Sequence, residues 1–200
     1  SLDMPKHTPV KAQFFEILRR WDRYPLAPRR VSNAPVKEVI LKENFSLFRE
    51  LPLFRVNPMD GGFFLSKGCV VARDPEDPSN QNVGMYRMQV KDHDRLGIQI
   101  SAQHDLAAYL RKAEEMNVPL RVAVAISNDP VVPFVAVSPL KYDEDEYSMM
   151  GAIRGEPLET VATERGDLDV PAHAELVIEG ELVLRKRFIE GPFAEYPGSY

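Results

Sequence analysis

Seventeen prolines in 200 residues cut this chain into short elements. Proline lacks an amide proton and fixes φ, so each one ends a helix or confines a strand to an edge. Val10 to Arg23 places Phe14, Phe15, Ile17, Leu18 and Trp21 on an approximately helical stripe, closed by Pro25 and Pro28. Its Lys11, Arg19, Arg20 and Arg23, with Arg29 and Arg30 beyond, read as a solvated basic face. A strand is expected over Val36 to Leu41. Gly61-Gly62 marks a turn before a strand from Phe63 to Arg73. Asp74 to Gln81 has loop composition, and Val83 to Val90 alternates as a strand. Asp105 to Met116 has one apolar and one charged face, as a surface helix does. Leu120 to Ile126 and Val131 to Val137 are apolar runs expected as strands, the second edged by Pro133. A helix is expected over Glu144 to Ile153, with acidic residues first and Gly155 past its end. Two last strands are expected at Pro157 to Thr163 and Ala174 to Leu184. Many strands with few helices between them favour an α+β domain, or a barrel with helical insertions, over a doubly wound sheet.

The formal net charge of −5 gives no reason to expect nucleic acid or an anionic membrane as partner. An anionic ligand would need local positive charge. The single cysteine, Cys69, excludes an internal disulfide framework; followed by Val70 and Val71, it reads as a buried structural thiol. No apolar run approaches the roughly 18 residues of a membrane span. The polar start SLDMPKHTP lacks a signal-peptide core, so a cytoplasmic protein is expected.

Three polar residues stand out. Asn82 precedes one expected strand, His104 precedes a helix, and Glu146 lies in the first turn of the next. An amide oxygen, an imidazole and a carboxylate suit Mn2+ or Mg2+, though each also fits a plain loop, cap or surface role. Arg87 lies inside a strand, where an arginine needs a partner or solvent. Residues five apart in a strand face opposite ways, so Asn82 and Arg87 share a site only if the strand bends, and Gly84 would permit a bulge. Glu190 and Glu195 flank a Gly-Pro turn. A pair of carboxylates brought together rarely ionises fully, which would leave one proton for delivery to a carbanion. Solvated loop glutamates are the simpler alternative. No GxGxxG or GxxxxGK(S/T) loop is present to cradle a phosphate.

In order along the chain, NVGMYRMQV (Asn82 to Val90), AQHD (Ala102 to Asp105), EYSMMGAIRGEP (Glu146 to Pro157), VPAHAELVIEGE (Val170 to Glu181) and EGPFAEYPG (Glu190 to Gly198) resemble the UbiD family of prenylated-FMN-dependent decarboxylases. With KHTPVKAQFFEILRRWDRYPLAPRR upstream, the wording is most similar to the bacterial hydroxyarylic acid decarboxylases of 4-hydroxybenzoate or vanillate type. The resemblance implies reversible, non-oxidative decarboxylation of an aromatic acid on prenylated FMN. It implies Arg87, Glu190 and Glu195 as the catalytic set, with Glu195 as proton donor and Arg87 orienting the substrate carboxylate. Asn82, His104 and Glu146 would hold Mn2+ or Mg2+ on the flavin phosphate, with K+ nearby against backbone around Ala136 to Ser138. Val83, Gly84, Met85, Tyr86, Arg87, Gln103, His104, Ser138 and Pro139 match cofactor contacts. The implied fold is a split β-barrel related to flavin reductases, with helical insertions. Residues 1–35 would be a helical segment from a preceding domain, and 36–200 the cofactor domain. Family members are longer on both sides, so the chain is expected to be the cofactor-binding core. A flavin prenyltransferase would supply the cofactor, and the full-length enzyme is expected to be a homo-oligomer. The alternative is a flavin-binding module or assembly subunit without decarboxylase activity.

Overall fold

The computed structural model describes residues 2–200. The elements run α1 (Val10–Trp21), β1 (Arg29–Val31), α2 (Leu47–Glu50), β2 (Phe64–Arg73), β3 (Gln81–Asp92), β4 (Arg95–Ile98), α3 (Asp105–Met116), β5 (Leu120–Ile126), α4 (Val131–Ala136), α5 (Glu146–Arg154), β6 (Glu159–Ala162), β7 (Asp169–Pro171) and β8 (Leu176–Leu182). Five strands form an antiparallel sheet in the order β4-β3-β2-β5-β8. A small second sheet runs β1-β6-β7, with β1 and β6 parallel. The β1–β6 pairing crosses the line expected at residue 35.

Alternation in β2 explains the layering. Cys69 and Val71 point to one face of the large sheet, where Val83, Val132, Val135, Tyr147, Met149 and Met150 bury them. Val70 and Ala72 point to the other face, onto Leu106, Tyr109 and Ala113 of α3. Leu96 and Ile98 of edge strand β4, and Ile178 and Leu182 of edge strand β8, pack on that same second cluster. Both edges therefore turn toward α3, and the sheet is a curled half-barrel closed over one helix. Leu106, 1% exposed, sits in this cluster. Truncating Leu106 to alanine is expected to cost about 2–5 kcal/mol by denaturant unfolding, since the packing between the curled sheet and α3 collapses only partly on the void.

Caps set the helix ends. Asp145 accepts hydrogen bonds from the Tyr147 and Ser148 backbone N–H groups and starts α5, which Gly155 ends at φ 86°. Every residue from Glu146 to Ile153 is buried. At the far end of α5, Arg20 of α1 donates to the Ile153 and Arg154 carbonyls. Buried arginine there serves orphan carbonyls that water cannot reach. Cys69 is fully buried, and burial pushes its thiol up to about 11, as a structural thiol requires.

Two expected strands are not strands. Val36 to Leu41 has no strand; a single 3-10 turn, Pro35–Lys37, stands there. Val131 to Val137 is largely the helix α4. Asp129 receives the Val131 N–H at 3.0 Å on its side chain and the Val132 N–H on its carbonyl. Pro133 then falls in the first turn, where a missing donor costs nothing. The apolar run is buried as expected, but as a helix. The short strands β1, β4 and β7 carry too little periodicity to read from sequence. The one-turn helix α2 was not expected either, and the remaining elements match to within a few residues.

Candidate active site

The edge of β3 organises the site. Strand β4 pairs with β3 only from Met88 onward, so residues 82–86 have no strand neighbour on that side. At this open edge the Glu146 carboxylate accepts the Val83 N–H at 3.2 Å and the Asn82 side-chain amide at 2.8 Å. Asn82 also lies 3.3 Å from the Asp105 carboxylate. Glu146 is 6% exposed, and burial with only partial hydrogen bonding pushes its carboxyl up to about 8. Burial likewise raises Asp105.

His104 occupies the N-cap of α3 beside Asp105. It is exposed, and its ring stands edge-on to Tyr86 with centroids 5.3 Å apart. Among the described residues its side chain makes no hydrogen bond, so Asn82 and Glu146 are joined directly while His104 adjoins them through Asp105 and Tyr86. Gln103 is exposed in the turn before it. The Ser138 hydroxyl donates to the Phe134 carbonyl past the end of α4, and Pro139 is exposed. Neither Ser138 nor Pro139 contacts the Asn82–Glu146 pair through a hydrogen bond.

No bulge is needed at Gly84. Residues 81–86 pair with β2 in unbroken register, and the irregularity lies between Leu65 and Gly68 on β2. A Cβ on Gly84 would fall 2.6 Å from the Tyr86 ring, so the glycine makes room for that ring along the strand. Asn82 and Arg87 thus point to opposite faces. Asn82 bonds Glu146 at the open edge, and Arg87 bonds Glu190 of the terminal segment.

Arg87 faces the C-terminal segment. Its guanidinium donates Nε to Glu190 Oε1 at 2.9 Å and Nη2 to Oε2 at 2.7 Å, a bidentate pair. Glu195 approaches Nη1 at 3.7 Å, with its side chain 65% exposed against 13% for Glu190. Phe193 lies between, its ring 4.7 Å from the Arg87 guanidinium carbon and 4.7 Å from the Phe64 ring. The three residues expected as a catalytic set are therefore adjacent.

Residues 190–194 are held by groups that sequence reasoning missed. Buried Gln89 accepts the Gly191 N–H and donates to the Gly61 carbonyl at 2.9 Å. Buried Asp60 accepts the Ala194 N–H at 3.0 Å, and that bond first among several holds its carboxyl below the usual range. These pairs lie 102 and 134 residues apart along the chain, so no local pattern announces them. Asp105 was within reach, since it ends the AQHD stretch. Gly61 donates its N–H to the Pro192 carbonyl, and a Cβ there would lie 2.2 Å from the Gly191 oxygen. Gly61→Ala is expected to cost about 1–3 kcal/mol and to displace the turn carrying Glu190. Denaturant unfolding measures the first, and loss of the Arg87–Glu190 contact in a crystal structure the second.

Residues 29–200 match the family described as UbiD, 3-octaprenyl-4-hydroxybenzoate carboxy-lyase Rift-related domain. The chain belongs to the UbiD family. Among curated UbiD relatives it is 52% identical to a phenolic acid decarboxylase of Bacillus subtilis, with 100% of this chain and 43% of that protein covered. Among solved structures, the closed form of the vanillic acid decarboxylase of Sedimentibacter hydroxybenzoicus superposes with a TM-score of 0.96 at 47% identity, covering 100% of this chain and 43% of that one. The UbiD-class enzyme HmfF of Pelotomaculum thermopropionicum, solved in complex with prFMN, gives 0.88 at 38% identity over 96% of this chain and 45% of that one. The chain thus spans a little under half the length of these UbiD relatives. Among its described residues no helix is long and apolar enough to cross a membrane.

Proposed function

We propose that this chain forms the flavin-binding and catalytic core of a UbiD decarboxylase acting on a phenolic or related aromatic acid. The observation that carries it is the bidentate Arg87–Glu190 pair with Glu195 on the remaining guanidinium nitrogen. When bound, prenylated FMN would supply the electron sink that no side chain here offers.

The residues present fit such a group. Glu146 is a buried carboxylate without a cationic partner among the described residues, and Asn82 and His104 add donors of the kind Mn2+ or Mg2+ takes. These three would grip a divalent ion on the cofactor phosphate, with K+ against the backbone around Ala136 to Ser138. Val83 to Tyr86, paired with β2 on one side and without a strand on the other, would lie along the cofactor at that open edge, and Gln103, Ser138 and Pro139 would complete its contacts. The curled sheet fits the open half of a flavin reductase-type split barrel. Arg87 would orient the substrate carboxylate while held in place by Glu190. Glu195, the more exposed acid, would deliver the proton that replaces CO2. Its exposure leaves it free to move between the solvent and the site. A flavin prenyltransferase would supply the cofactor, and a cytoplasmic homo-oligomer is the assembly we infer for the complete enzyme.

The test is co-expression of the longest form of this polypeptide with a flavin prenyltransferase. A bound cofactor of prenylated-FMN mass and CO2 release from 4-hydroxybenzoate or vanillate are the expected results. A colourless protein without flavin would end the proposal.

A further inference from the structure

We infer that Asp60 and Gln89 are positioning residues that fix the backbone of residues 190–194 so that both glutamates stay on Arg87. The kinetic consequence rests on the decarboxylase proposal, while the geometry stands by itself. Arg87, Gln89 and Lys91 are alternate residues of β3 and share one face. Each takes a different group of the terminal segment: Arg87 the Glu190 carboxylate, Gln89 the Gly191 N–H at 3.2 Å, Lys91 the Ile189 carbonyl at 2.7 Å. From the other side, the loop at residues 57–61 grips the same segment. Asp60 holds the Ala194 N–H with one carboxylate oxygen and the Asn57 N–H with the other, at 3.0 and 2.9 Å. Gly61 reaches the Pro192 carbonyl at 2.7 Å, and the Gln89 amide ties that loop to β3 through the Gly61 carbonyl.

These anchors matter because nothing regular holds the segment. Past β8 no residue belongs to a helix or strand. The Glu195 side chain touches only Arg87 among the described residues, at 3.7 Å. The Glu195 backbone closes a turn with Gly198 and Ser199, and that turn is joined to the rest of the fold through Ala194, the residue that Asp60 holds. Asp60 and Gln89 are each 4% exposed. A buried carboxylate and a buried amide cost free energy unless their bonds are made, and here, apart from the Lys91 ammonium that also donates to Gln89, they end on the segment bearing the two acids or on the loop that braces it. A misplacement of about 1 Å at a reacting group lowers rate by roughly 10²-fold.

Asp60→Ala, Asp60→Asn and Gln89→Met, made in the longest form of the polypeptide with its flavin, test the assignment. Gln89→Met and Asp60→Ala are expected to lower kcat by about 10–100-fold with little change in KM. FMN affinity should hold, because Asn82 and Glu146 stand at the other end of β3. Amide exchange in residues 190–195 should accelerate, and Asp60→Asn, which keeps one acceptor oxygen, should recover part of both effects. An unchanged kcat would overturn the inference, as would a fall in kcat matched by loss of FMN affinity without local exchange. If the unmutated protein releases no CO2, the decarboxylase proposal fails, and the exchange measurement decides the positioning claim alone. Unaltered exchange at residues 190–195 then overturns it. Should Asp60→Ala not fold, Gln89→Met carries the test.

Discussion

Glu195→Gln is expected to lower decarboxylation by about 10²–10⁴-fold, the range for removing a positioned general acid, with flavin binding intact. Glutamine keeps the shape of the side chain and its approach to Arg87, but has no proton to give. Among the described residues the Glu195 carboxylate pairs with Arg87 alone and its side chain is mostly exposed, so stability should hardly change. The loss should therefore appear in kcat, with melting temperature and cofactor spectrum unaltered. Glu190→Gln is a different insult: it strips Arg87 of its charge-assisted bidentate partner and leaves a half-buried guanidinium underpaired. Loss of substrate affinity as well as rate is expected there. Stopped-flow rates over a range of acid concentration separate the two. A Glu195→Gln protein that releases CO2 at the original rate would remove Glu195 from the mechanism.

Glu146→Gln is expected to weaken divalent-ion binding, and with it flavin retention, by about 100-fold or more, since a hard cation loses its only ionised ligand. The carboxyl must shed its proton to bind a cation. Burial holds it near 8 in the cation-free protein, so Mn2+ affinity should rise with pH up to about 8 and level off above. Folding stability of the cation-free protein has the opposite sign. The folded state keeps this proton while the unfolded state, with the ordinary value of 4.5, has released it. Stability should fall as pH rises from about 4.5 to 8, and Glu146→Gln should flatten that slope. Titration calorimetry with Mn2+ at several pH values, beside melting curves without metal, checks both. A pH-independent Mn2+ affinity would argue that Glu146 is not a ligand.

Much of this was legible in the chain itself. The range of α3 follows from its amphipathic stripe and most of β3 from alternation, because each has one way to bury its apolar side, while β5 follows from a short continuous apolar run and β2 from the turn before it. That Arg87, Glu190 and Glu195 lie together was expected from the order of motifs, though composition could not bring residues 103 apart into contact. The apolar run at Val131 was misread because burial on all sides suits a strand and a helix equally. The side chain of Asp129 tipped it to helix, an event at a cap rather than in the run.

The residue pattern by itself determined which stretches are apolar, where chain direction changes, and which chemical groups are available: amide, imidazole, carboxylates and one guanidinium. Only the folded chain decided how they meet. The edge of β3 is open over residues 82–86 because β4 begins pairing only at Met88, and there Glu146 of α5 reaches Asn82 and Val83. The clamp of Asp60, Gly61 and Gln89 on the terminal turn exists because two loops remote in sequence close on one β3 face. Such contacts are non-local hydrogen bonds between buried groups. Their partners are chosen by the curl of the sheet, which no window along the chain contains.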